Sequence, residues 1–326
     1  MNVWLLKLHR WIALALALPF VVLLYTGLVL SFEPWIVTRA IKPGALTVER
    51  IETLLSKHDE KGQARAINYR PYDQTLTIGA GRGGTNVVVD VVSGEVRPGP
   101  SWLAAYLNST RRLHEHVIQW QWFKDLSAAM GIDDNWLTVV ATVGMLVLAV
   151  IGMLMGLPRW SNTLSGWHKV TAWGLLPLIV LSPLTGLFIA WGITFQPPRP
   201  APGPGAEKTP QMRLVEAVRI VGKTQDLSGL VWIRPQGGGI AARIVEGGEY
   251  RGYRVTRDGA QATPRNWPRL WHEGKFAGGW SALLNVVTSF ALIGLLVTGG
   301  TMWARTTLRR RRRRMEQAAA AAGAAA

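Results

Sequence analysis

The chain has 326 residues, 48% hydrophobic and only 17% charged, with 16 Trp and no Cys. The lack of Cys excludes disulfides, thiolate-bound metal, Cys-ligated iron–sulfur clusters and covalent c-type haem. The formal net charge is +16, and its densest part, the run Arg309 to Arg314, reads as a cytosolic topology signal rather than a nucleic-acid patch.

Trp11 to Phe32 carry no charged residue, a length that spans a bilayer as a helix. A signal peptide would have an apolar core of only about 7–15 residues, and no small-x-small cleavage site follows, so a retained helix is expected. Three more spans are expected at about Trp136 to Leu157, Val170 to Phe195 and Trp280 to Trp303. Pro19, Pro177 and Pro183 lie inside spans, where neighbouring helices can satisfy the freed carbonyls. The basic short segments, residues 1–10, 158–169 and 304–326, belong on the cytoplasmic side. Both termini are then inside, and the long segments, roughly 33–135 and 194–279, face outward.

Each outer segment has the pattern of a small folded domain. In the first, Val48, Ile51, Leu54 and Leu55 make one face of a helix over Thr47 to His58. Alternating runs follow at Ala66 to Tyr69, Thr75 to Ile78 and Asn86 to Val91, with a turn at Ser93-Gly94. The second opens with a Pro/Gly linker, Pro197 to Pro204, then a helix from about Pro210 to Val221. Strands are expected over Gly229 to Arg234, Ile240 to Val245 and Tyr250 to Val255, with a turn at Asp258-Gly259. One helix on an antiparallel sheet is expected in each. Both are near the lower size limit for an independent core, so docking on the membrane part or on the twin would help. The expected fold class is therefore a membrane α-helical protein with α+β extramembrane domains. Its divisions are 1–33 (first span), 34–113 (first outer domain), 114–158 (outer histidine segment and second span), 159–196 (inner loop and third span), 197–270 (second outer domain), 271–305 (outer histidine segment and fourth span) and 306–326 (basic and Ala-rich tail).

The order helix, outer domain, helix occurs twice. His9-Arg10 matches His168-Lys169, and Thr26-Gly27 matches Thr185-Gly186. Leu113-His114-Glu115 matches Trp271-His272-Glu273, with Arg111 and Arg269 each three residues before the outer histidine. Both copies start on the same side, which predicts parallel repeats about a pseudo-two-fold axis along the membrane normal.

Such an axis would bring His9 towards His168 at the cytoplasmic face and His114 towards His272 at the outer face. Each pair offers two opposed imidazoles, the demand of a six-coordinate haem iron. Arg10 and Lys169 inside, and Arg111 and Arg269 outside, are candidate propionate partners. A rise of about 1.5 Å per residue carries the Thr-Gly pairs about 26 Å from the inner histidines, to the outer centre, where Gly27 and Gly186 let a ring approach. Two other readings stand beside this one. A single interfacial His next to an Arg is more often a surface anchor. Zinc or copper also takes imidazole, although zinc normally wants four ligands. His116 is an alternative outer ligand, while His58, beside Asp59 and Glu60, reads as a solvated surface residue. The extra bases of the second outer domain suit either an anionic substrate or a solvated face. Gly79 to Gly84 lacks the context of a phosphate loop, and no Ser/His/Asp nucleophile stands out, so any electrons must come from elsewhere.

The chain resembles the PepSY-associated transmembrane proteins over about residues 3–305. The resemblance is carried by Leu8-His9-Arg10-Trp11 with Thr26-Gly27, by Val89-Asp90-Val91-Val92-Ser93-Gly94-Glu95-Val96, and by Trp271-His272-Glu273-Gly274 before a Gly-rich final helix. It implies PepSY-like outer domains and an oxidoreductase of the bacterial inner membrane that releases iron from ferric siderophores in the periplasm, using two b-type haems. His9, His168, His114 and His272 would ligate the haem iron. The implied partners are a ferric siderophore or other Fe(III) chelate, and an electron donor that is either a quinol or a cytoplasmic reductase; nucleic acid is not among them. Two departures stand out: the Trp-rich insertion after His114, and Arg257-Asp258-Gly259 in place of the Ser-Gly-Glu turn. Two alternatives remain: a quinol-linked carrier serving a periplasmic redox partner, and a non-catalytic regulator or transport accessory.

Overall fold

The structure, a computed structural model, describes residues 3–79, 86–158, 160–197, 212–236 and 238–325. Most of the glycine-rich run, Arg159, most of the Pro/Gly linker and the expected start of the helix at Pro210 lie outside the described residues.

In chain order the elements are helices α1 (Val3–Ala15), α2 (Ala17–Ser31), α3 (Glu33–Ala40) and α4 (Val48–His58), then strands β1 (Ala66–Arg70), β2 (Thr75–Gly79), β3 (Asn86–Asp90) and β4 (Val96–Arg97). Helices α5 (Trp102–Glu115), α6 (Gln121–Ala129), α7 (Trp136–Leu154), α8 (Leu164–Gly174), α9 (Leu176–Ala190) and α10 (Leu214–Gly222) follow. The chain closes with β5 (Leu230–Gln236), β6 (Gly239–Glu246), β7 (Glu249–Thr256), β8 (Gly259–Ala262), α11 (Trp267–Glu273) and α12 (Gly279–Ala325). By contact it divides into two compact units. The first is Met1–Leu28, Arg112–Ala190 and Asn285–Ala326, and the second Val29–Arg111 and Trp191–Leu284.

Three helical stretches among the described residues are long and apolar enough to cross a membrane: Ala17–Ala40, Trp136–Leu154 and Gly279–Ala322. The expected third span is a bent pair, α8 and α9, meeting at 64°, and makes a fourth crossing if the two halves act as one. The cause is local. Pro177 has no N–H to give the Trp173 carbonyl, so the ladder fails where α8 ends. Pro19 does the same to the carbonyl of Ala15, the last residue of α1. The final helix does not stop at Trp303 but continues through the arginines.

In the first unit, Phe20, Leu23 and Ala141 are buried together, with Leu16, Val117, Met145, Leu148 and Leu296 packed on them. Gly144 permits this approach, because a Cβ there would lie 2.3 Å from Leu16 Cδ1. Helix α8 starts at Thr163, whose hydroxyl accepts from Gly166 N at 3.1 Å.

The second unit holds one eight-stranded sheet, in the order β4-β3-β2-β1-β5-β6-β7-β8. All its pairings are antiparallel. The two outer segments, expected as separate sheets, join where β1 pairs with β5 and Ile67 lies opposite Ile233. Alternation sends Ile67, Leu76 and Val89 of the first segment and Ile233, Ile244 and Val255 of the second into one core. Helix α4 covers that core with Ile51, Leu54 and Leu55, and α10 with Leu214, Val218 and Val221. The physical reason is the edge: a four-stranded half would leave β1 or β5 unpaired over a core too small to hold it. A smaller cluster, Val37, Val245, Tyr250 and Leu270, also belongs to this unit.

Candidate functional site

Two of the four candidate histidines are held by the same device. His114, near the C-terminus of α5, has Nδ1 2.8 Å from the hydroxyl of Thr26 on α2. That hydroxyl donates to Val22 O at 2.6 Å, four residues back on its own helix. His168, on α8, has Nδ1 2.8 Å from the hydroxyl of Thr298 on α12, and Thr298 donates to Gly294 O at 2.7 Å. A threonine hydroxyl has one proton. With that proton spent on a helix carbonyl, the oxygen can only accept, so each histidine must donate from Nδ1. The ring lone pair is thereby assigned to Nε2, the arrangement a metal-ligating imidazole needs.

A glycine follows each threonine and makes room for the ring. A Cβ on Gly27 would lie 3.4 Å from His114 Cε1, and one on Gly299 would lie 3.5 Å from His168 Cε1. Thr26-Gly27 thus sits against His114, the histidine that helix rise pointed to. Thr298-Gly299 is the pair that sequence reasoning missed. The signal was available in the dipeptide itself, repeated on the last span.

His9 and His168 are within electrostatic range of each other. Their surroundings differ. His9 faces the Leu148 main chain, and its buried Nδ1 has no hydrogen-bond partner. Arg10 and Lys169, each beside its histidine, have no ion-pair partner among the described residues.

Residues 6–306 match the model of the family described as the PepSY-associated TM region. The chain belongs to this family. It is accordingly a membrane protein, with the helical spans and antiparallel sheet described above. A search of curated proteins gives no match.

In this PepSY-associated protein the remaining candidates lie as follows. His272 is on α11, in the second unit, whereas His114 belongs to the first. Asn266 caps α11 by accepting from Arg269 N, and Gly274 ends it in the left-handed region at φ 65°. Thr185 donates to Leu181 O at 2.7 Å, the same use of the hydroxyl as in Thr26. Arg111 is ion-paired with Glu33, so its charge is shared with a carboxylate of the chain itself. Glu33 also faces Lys275 at 3.5 Å, and Lys275 lies 2.9 Å from Glu273. Burial opposes the Lys275 charge, but Glu273 and Glu33 outweigh it and hold the ammonium well above its ordinary range. Burial likewise opposes the Glu273 charge, yet Lys275, Arg269 and Arg243 hold that carboxyl far below the usual range. His116 Nδ1 is 3.1 Å from Asp134, and His58 Nε2 is 3.0 Å from Gly94 O, which ties it to the Ser93-Gly94 turn. Among the described residues no group of three or more His, Asp or Glu is placed to hold a bare metal ion.

Proposed function

We propose that the protein is a di-haem b reductase of the bacterial inner membrane. It takes electrons from a quinol or a cytoplasmic reductase and delivers them to Fe(III), held as a siderophore or similar chelate on the periplasmic side, and it releases Fe(II). Both termini are cytoplasmic in this reading. His9 and His168 ligate the inner haem. His114 ligates the outer haem, with His272 assigned as its partner by the sequence repeat alone.

The observation that carries the reading is the threonine relay at His114 and His168. An imidazole that served only as a membrane-surface anchor would gain nothing from a fixed tautomer. One that binds iron gains orientation and basicity at Nε2. The electrostatic proximity of His9 and His168 adds to this. Bound haem supplies one-electron chemistry with a potential set by its ligands and burial. The chain's own part is to hold the rings, exclude water through the Phe20 and Leu23 packing, and keep the two sites apart. Hard oxygen chelators hold Fe(II) less tightly than Fe(III), so reduction frees the metal.

The test is an absorbance spectrum of detergent-purified protein, oxidised and dithionite-reduced, with haem quantified per chain. Two haems per chain are expected, falling to one in His9→Ala, and the reduced form should be reoxidised by ferric chelate. A preparation with no haem-type band would overturn the reading.

A further inference from the structure

The second unit carries a group of cations of which the sequence reading used Arg269 alone. Trp232 and Arg243 lie directly opposite each other on β5 and β6. Arg234 stacks over the Trp232 ring at 4.3 Å, and Arg243 lies over the same ring at 5.7 Å. Among the described residues neither guanidinium has a hydrogen-bonded acceptor or an ion-pair partner. Arg269 completes the group. It is within electrostatic range of both, its buried Nε has no hydrogen bond, and its nearest carboxylate, Glu273, is 3.7 Å away.

Arg243 and Arg269 open onto a shallow cleft of about 50 Å³, whose wall also includes Tyr250, Arg251 and Arg265. The one lining carboxylate, Glu249, is already bonded to Arg251 at 3.2 Å and to Arg265 at 2.7 and 3.0 Å. Guanidiniums drawn out of water beside one another are costly unless an anion compensates them. The fork geometry of arginine suits a carboxylate, and a stacked arginine is already oriented for one.

We propose that this cleft is a binding site for a carboxylate-bearing anion, gripped by Arg243 and Arg269, with Arg234 on Trp232 strengthening the positive field. The carboxylate has two conceivable sources, a haem propionate or a free polycarboxylate such as a chelator. The site itself does not depend on the haem reading, because its three guanidiniums outnumber the carboxylate that faces Arg243 and Arg269, Glu273, which Lys275 also shares.

The experiment is calorimetric titration of the full-length protein in detergent with citrate, on the preparation as purified and after haem extraction. The variants Arg243→Gln and Arg234→Gln are run alongside. Arg234 is exposed, so its variant folds even if Arg243→Gln does not, and thermal melts check both. Citrate should bind, should weaken as salt rises, and should bind about tenfold or more weakly in each variant, since each loses a charge-assisted contact or its field. If citrate binds both preparations and the variants keep their haem, the ligand is a free anion. If it binds only extracted protein and Arg243→Gln sheds haem, the ligand is a propionate. Should no haem be found at all, the titration still decides the site. Absence of citrate binding in both preparations, or variants that bind it as tightly as the parent, would overturn the proposal.

Discussion

His168 and Thr298, far apart in the chain, meet at 2.8 Å across two helices, and the length of this bond is repeated between His114 and Thr26. In both cases the threonine proton is committed to a carbonyl of its own helix. The hydroxyl is therefore a tautomer lock and not merely a packing group.

Breaking that lock should be visible in the ligand site before it is visible in the fold. Thr298→Val keeps the shape and removes the acceptor. Loss of such an outer partner typically costs about 10–100-fold in metal affinity, so Thr298→Val and Thr26→Val should each lose haem that much more readily during dilution. Thr298→Ser should restore retention. Equal haem retention in Val and Ser variants would show that the hydroxyl is not used.

The helix that carries His168 depends on a glycine two residues earlier. A Cβ on Gly166 would lie 2.0 Å from the Ser161 carbonyl oxygen and 2.5 Å from its hydroxyl. Backbone cannot yield as a side-chain tip can, so Gly166→Ala should destabilise the protein by about 1–3 kcal/mol. By contrast Gly299→Ala, with 3.5 Å to His168 Cε1, should be tolerated. Thermal unfolding of the two variants in the same detergent checks the contrast.

Joining of the two outer segments predicts one unfolding transition for the sheet. Ile67 and Ile233 are cross-strand partners and both fully buried. Ile233→Ala should cost about 2–5 kcal/mol and should loosen both segments together. Hydrogen exchange would read this as loss of protection in β2 and β6 alike. Loss confined to the second segment would mean two independent sheets.

Asp90 gives the sheet an acid-sensitive turn. Its carboxylate accepts from Val92 N and Ser93 N, both at 2.8 Å, and is ion-paired with Arg97. The Ser93 N–H, with Arg97 and Val92, holds its carboxyl below the ordinary value of 3.8 despite some burial. A depressed carboxylate contributes stability that is complete above its unfolded value and is lost as pH falls through the folded one. Asp90→Asn should therefore cost about 1–2 kcal/mol at neutral pH and should flatten the decline in melting temperature below about pH 4.

Much of this arrangement was legible in local pattern. Spans followed from uncharged runs, and strands such as Ile240 to Val245 followed from alternation, because both are set by nearest neighbours in sequence. What was not legible depended on partners far along the chain. Nothing local tells β1 that its neighbour is β5. The 64° bend at Leu175 is a case where Pro177 was read but its effect was not, since membrane helices often absorb a proline without breaking. At the candidate site, the four histidines and Thr26 came from spacing and duplication. Thr298 did not, because duplication pointed to Thr185, and the contact to His168 is made across helices. The Trp232, Arg234 and Arg243 group was invisible for the same reason, as it needs β5 and β6 in register.

The β1 and β5 junction also imposes an order on synthesis. Strand β1 leaves the ribosome with one side of its backbone unpaired, and its partner is not made until three further apolar helices, α7 to α9, have been produced. A nascent half-sheet with a bare edge must therefore wait through about half of the protein's translation. Such an edge recruits stray strands. The vulnerable form of this molecule is thus the growing chain between residues 70 and 230, and conditions that slow elongation there should lower the yield more than equal delays elsewhere.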